Sequence, residues 1–345
     1  MYTKKKFFKI VSQIIICLST LFLAFLSTTS AESKIFKIED IEISERFDAN
    51  FNKEKAINKA FSVAFKELTS SVITTKDKKK IQYTKLSEIK YLVESFEIKN
   101  ETFLNKKYVA NFNVNFNKKK TLSFFETKNI FPSLKINKDF LTILIFIDND
   151  KNQIFLYENN PFFKNWNKID EKYFLINYIL IDEDLEDLKI INENKDNIEN
   201  YKFDKVINKY DINDYIISII FKNKKDIRIL SKFFFDENLK IINHKYNNIN
   251  LNNQRELDNL IFETKINLED LWKSNNLINT SLKLPINLQL NSKDTLKIVN
   301  LEEEMNKIDL VYEYYVTNIS SNNINYKIIF NGSPNQFLKI MRDKN

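Results

Sequence analysis

The side chains that could do chemistry are few, and their types narrow the chemistry more than their spacing does. The one histidine, His244, stands in KIINHKYNN. Without a second imidazole, His-pair metal sites are excluded and at most one imidazole base remains. No serine nucleophile motif lies near it, so it reads as an exposed residue at the end of a strand. The one cysteine, Cys17, falls inside an apolar N-terminal run, which leaves the chain beyond it with no disulfide, thiolate nucleophile or Cys-ligated metal. A single glycine, Gly332, means that neither a phosphate loop nor a dinucleotide fingerprint can be written onto this sequence.

Carboxylates are the remaining route. Asp182, Glu183, Asp184, Glu186 and Asp187 in IDEDLEDL offer oxygen ligands to a hard cation. An acidic stretch entering a helix is stabilised equally well by the positive end of that helix, with Asp182 or Asp184 as the cap, and this reading is preferred. Asp148, Asn149, Asp150 and Asn152 resemble the opening of a calcium loop that lacks its central glycine and closing glutamate, so a hairpin turn is expected. Two carboxyl groups converging for glycoside hydrolysis stay open, because any two of 46 acids can meet in space. Trp166 and Trp272, with Phe162 and Phe163, suit a buried core better than a binding platform. The expectation is no catalytic, cofactor-binding or metal-ligating residue, and no enzyme.

The elements that carry these residues begin with a leader. Lys4, Lys5, Lys6 and Lys9 precede the apolar stretch IVSQIIICLSTLFLAFL, and STTSA follows, with Thr29 and Ala31 at the −3 and −1 positions of a cleavage site. A signal peptide over 1–31, cleaved after Ala31, is expected. The alternative is an uncleaved anchor through 10–26, but that run is polar at Ser12, Gln13, Ser19 and Thr20 and short for a bilayer. Cys17, behind three isoleucines, does not suit a lipoprotein signal. Of the formal charge of +7, the four leader lysines account for more than half, leaving about +3 on the remainder. The runs KDKKK (76–80) and KKK (118–120) are short and read as solvated loops, so no nucleic-acid partner is expected. With 30 Phe and 15 Tyr, there is ample apolar surface for buried cores.

Beyond the leader, the spacing predicts a strand at 35–44 with one irregular step. A helix follows over about 53–72, with Asn52 as N-cap and Ala56, Ala60 and Ala64 on one face, then a shorter helix near 84–92. FEIKNETFL and KYVANFNVNF read as a hairpin, and KKKTLSFFETKN as a helix. Later strands are predicted at 140–148, 173–181 and 214–221, then DIRILSKFFFD and LKIINHKY, with a helix over about 252–275. The segment from YLVESFEIKN to TLSFF and the terminal DLVYEYYVTNIS to QFLKIM share a hairpin-then-helix pattern, suggesting a common supersecondary unit. Gly332, between the last strand and a helix opening at Pro334, suits a positive φ. The fold class is α+β: a small β-α-α-β-β module (33–131), then a larger mixed sheet-and-helix region (139–345) ending in a hairpin and short helix. The segment 128–139 is expected to link them.

In layout the chain resembles a bacterial family of exported proteins catalogued as domain of unknown function 2066. The Ala-spaced helix, the hairpin to Phe116, FLTILIFID, LIDEDLEDLKIIN, YDINDYIISII and the closing VYEYYVTNIS to NGSPNQFLKIM carry the resemblance. It implies an envelope location and no catalytic residue. The first module also looks like the β-α-α-β-β units that recruit partners in outer-membrane assembly, an analogy of fold alone. The expected function is that of an exported, periplasmic or secreted, non-catalytic binding or assembly factor of the cell envelope. Its partners would be envelope proteins, with no nucleotide or other cofactor and no membrane contact outside the leader. The alternatives are a carboxylate-based envelope hydrolase and a small-ligand-binding periplasmic protein.

Overall fold

The irregular step in the first strand is a bulge. In the computed structural model, which describes residues 36–280, 282–291, 294–320 and 322–343, β1 (Lys37–Arg46) buries Ile38, Ile41 and Ile43. Its register slips between Ile38 and Ile41, where Asp40 adopts a φ of 56°. The added residue brings two isoleucines three apart onto one face. The leader, with Cys17, the 10–26 run and the cleavage position Ala31, lies outside the described residues.

Helix α1 (Lys53–Val72) starts where Asn52 accepts the Glu54 N–H at 2.8 Å. Ala56, Ala60, Ala64 and Leu68 are completely buried, a row of small side chains that seats the helix closely on the sheet. A single turn, α2 (Thr75–Lys78), and α3 (Leu86–Leu92) lead into the hairpin β2 (Val93–Leu104) and β3 (Lys107–Phe116), followed by α4 (Lys118–Thr127). The sheet is antiparallel in the order β1-β3-β2.

The central sheet has six strands: β4 (Lys138–Asp148), β5 (Gln153–Phe155), β6 (Ile176–Leu180), β7 (Tyr215–Asn223), β8 (Asp226–Phe235) and β9 (Asn238–Tyr246). β4 pairs in parallel with β6 on one edge and β7 on the other, and β8 and β9 extend the sheet antiparallel. The continuous apolar run of β4 has its physical reason here, because both faces are covered. Phe140, Leu144 and Phe146 pack with α5 (Pro161–Trp166) and α8 (Gln254–Asn275). Leu141, Ile143, Ile145 and Ile147 join a second core with α6 (Leu185–Glu193) and α7 (Asp204–Ile207).

The chain then builds β10 (Leu284–Leu290), α9 (Thr295–Lys307), β11 (Val311–Ile319), β12 (Ile324–Phe330) and α10 (Pro334–Asp343). This sheet is also antiparallel, in the order β10-β12-β11. Strand, helix, hairpin, helix, with the third strand central: the topology of the first module is used twice. The two copies share one core, in which Ile38, Phe65 and Phe125 from the first cluster with Met305, Tyr326, Ile328 and Phe330 from the second. The linker around 128–139 is itself built in. Ser133 is fully buried and donates its N–H to the Val72 carbonyl, while Leu134 donates to Asn276 and Ile278 to Pro132.

Gly332 does not adopt a positive φ, contrary to the expectation from its position. Space is the reason for it, since a Cβ there would come within 2.6 Å of Phe330 Cε1 and 2.7 Å of Gln336 Oε1. Left-handed turns fall instead to other residues, among them Asn100, Asn105, Lys106, Asn129, Asp236 and Glu237.

Candidate functional site

Both acidic clusters stand at carboxyl ends of parallel strands, where open α/β sheets place their ligands. Each is engaged by a lysine from within the chain. At the end of β6, Lys209 Nζ lies 2.5 Å from Asp184 and 2.7 Å from the fully buried Asp187. The hydrogen bond from Lys209 holds the Asp184 carboxyl below its ordinary range, and the two acids raise the lysine. Asp184 is the N-cap of α6, accepting the Glu186 N–H at 2.7 Å, and the Asp182 N–H donates to the Tyr210 hydroxyl. At the end of β4, Lys222 bridges Asp148 at 3.2 Å and Asp150 at 2.6 Å. Asp150 also accepts the Lys224 N–H, and these bonds lower its pKa. Asp148, Asn149, Asp150 and Asn152 therefore form a hairpin turn closed by an ion pair. Among the described residues, no group of three or more His, Cys, Asp or Glu side chains is arranged to hold a metal ion.

His244 is not at a strand end in solvent. It is half-buried within β9 against α8, its Nδ1 paired with Asn267 Nδ2 at 2.8 Å. Phe162 and Trp166 are fully buried and Trp272 nearly so, in the core beneath α5 and α8, and Trp272 Nε1 donates to the Ile136 carbonyl.

A buried ionic stripe along α8 escaped the sequence reading. Lys265, Glu269 and Lys273 follow one another four apart, and each is at most 2% exposed. Lys265 donates to the Ile169 carbonyl at 2.7 Å, and its ammonium lies 4.5 Å from the Tyr178 ring centroid and 5.6 Å from that of Trp166. Glu269 accepts the N–H groups of Leu175 and Ile176 where β6 begins. Lys273 reaches the Ser70 carbonyl at the end of α1 at 2.6 Å. Burial draws both lysines down to about 8 and pushes Glu269 up. A lysine so shifted is the kind of amine that attacks carbonyls, but Lys265 is enclosed by protein and its hydrogen bond ties α8 to the loop before β6. The signal was present: these charges lie one residue beyond Thr264, Leu268 and Trp272, on the buried side of the helix.

One surface with unmet bonding capacity is the outer edge of the central sheet. Among the described residues β9 pairs only with β8, leaving a nine-residue edge of main-chain donors and acceptors. One face of β9, with Ile242 and Tyr246, packs against α8. The other exposes Leu239 (51%) and Ile241 (60%) beside Asn243 and Lys245. The strand contains Lys240, Lys245 and His244 and no acid. A second opening, a cleft of about 620 Å³, lies where α3 and α4 meet β11, with Tyr91, Phe124, Tyr312, Lys119 and Lys120 in its walls. Its ammonium groups are engaged, Lys119 with Glu313 at 2.6 Å and Lys120 over the Tyr91 ring at 4.3 Å.

Compared with known proteins, the chain matches no family model and no curated protein. No helix among the described residues is long and apolar enough to cross a membrane.

Proposed function

We propose that this chain is an exported, non-catalytic binding or assembly factor of the bacterial envelope that takes an extended partner segment along β9. The observation that carries the reading is the β9 edge. An unpaired strand is a template for another strand, with main-chain bonds giving affinity and alternate side chains giving selectivity. Leu239 and Ile241 would receive alternate apolar side chains, and the acid-free strand favours a partner carrying acidic residues. The leader, with cleavage after Ala31, supports delivery to that compartment.

A photo-crosslinking residue placed at Asn243, on the same exposed face of β9, in the full chain expressed in its host is expected to yield adducts with envelope proteins. Leu239→Lys combined with Ile241→Lys should abolish them without unfolding the chain. Adducts that persist in the double variant, or turnover of a glycan or peptide by the purified protein, would overturn the reading.

A further inference from the structure

Strands β2 and β3 join through a two-residue turn, Asn105 and Lys106, whose φ angles are both positive at 53° and 59°. The chain leaving β1 comes to the same tip, where the Phe47 N–H donates to the Lys106 carbonyl at 2.9 Å. Aromatic rings gather there. The centroids of Phe47 and Phe103 lie 5.0 Å apart, with Phe51 5.2 Å from Phe47 and Tyr108 5.2 Å from Phe103. Tyr108 is fully buried, but Phe47 is 41% exposed, Phe103 52% and Leu104, the last residue before the turn, 70%. Single exposed apolar side chains are ordinary, whereas a group of them at one tip marks a contact surface.

Charge indicates what that surface meets. Arg46 pairs with Asp48 at 3.1 Å, Lys53 with Glu101 at 2.7 Å and Lys59 with Glu45 at 2.5 Å, so the acids at this end are matched. Lys106 and Lys107 are exposed and have no carboxylate partner among the described residues. Lys107 stands opposite Leu104 on one side and Arg46 on the other, which puts two cations and the most exposed leucine on one face of the sheet. A stable protein interface covers about 800 Å² on each partner, more than three side chains at the end of a hairpin supply. A bilayer surface requires less: a few apolar groups enter the acyl boundary while neighbouring cations stay among anionic headgroups.

We propose that the β2–β3 tip docks on a membrane surface rich in anionic lipid. Phe47, Phe103 and Leu104 reach the acyl boundary, and Lys106 and Lys107 lie among the phosphates. The contact is independent of the β9 edge, which belongs to the central sheet. Its apolar side chains come from two segments far apart in the chain and form no apolar run, so the sequence pointed to no membrane contact beyond the leader.

The test places a reporter at the tip of the full chain. Leu104→Trp is mixed with vesicles of equal parts phosphatidylglycerol and phosphatidylcholine, the latter carrying brominated acyl chains that quench tryptophan. Trp166 and Trp272 are buried in the core, so the quenching reports the tip and is not produced by attachment of the apolar leader. The added emission is expected to fall at least twofold. At the same lipid concentration, vesicles of brominated phosphatidylcholine alone should quench at least threefold less. Adding Lys106→Glu and Lys107→Glu, both at exposed positions, should reduce the quenching by anionic vesicles at least threefold. Should Leu104→Trp not fold, Phe103→Trp reports from the neighbouring position. The proposal is overturned if neither reporter is quenched, the result expected of a tip that meets only protein. It is equally overturned if neutral vesicles quench as strongly as anionic ones, or if the glutamate variant is quenched like its parent.

Discussion

Lys265 and Lys273 make stability depend on pH in a direction opposite to that of surface lysines. Burial holds both at about 8, whereas an unfolded lysine titrates near 10.5. Between those values the unfolded chain binds more protons than the folded one, so stability should rise with pH across that window. Tyr157 and Tyr326 then act in the other sense. Their folded values are raised to about 12 from 10, chiefly by burial, so above pH 10 deprotonation favours the unfolded chain. A thermal melt followed from pH 7 to 11 should show a maximum between about 9 and 10, and Lys265→Met should flatten the ascending side. A midpoint that falls steadily from pH 7 would refute this. Residue-scale strain gives a second expectation. Glu237, at φ 61° in the β8–β9 turn, bears a cost that glycine lacks, so Glu237→Gly should stabilise the protein by about 1 kcal/mol, read from denaturant midpoints.

Helix α8 was legible as an element, its length and apolar face following from Leu257, Leu260, Ile261, Leu268 and Trp272. What it does was not legible, because Lys-x₃-Glu-x₃-Lys on a helix ordinarily describes a solvated stripe. Only the tertiary partners, the N–H groups of Leu175 and Ile176 and the Ser70 carbonyl, make it internal. Glu269→Leu removes the acceptor for two buried N–H groups and should cost about 2–4 kcal/mol in urea unfolding. A cost below 1 kcal/mol would mean that the bonds to β6 are dispensable. The β9 edge was similarly hidden. The alternation of LKIINHKY announces a strand, but position at the rim of a sheet depends on pairings made by β4, β7 and β8, which no local pattern contains. The turns at Asp184 and Asp148 were readable because caps and hairpins are local devices.

At the scale of the whole molecule, the repeated topology was readable as a faint echo of hairpin and helix, while the joining of the two copies in one core was not. A core cluster that joins Phe65 and Phe125 to residues some two hundred positions away leaves no periodicity behind. The consequence concerns timing. The first module is synthesised early, but its share of the common core stays open until Tyr326, Ile328 and Phe330 arrive, so that core is completed only when synthesis is nearly over. Ending the chain after Asn276 should therefore give a first module that is digested by protease within minutes under conditions the full chain resists. Equal resistance of the two would show that the early module closes by itself.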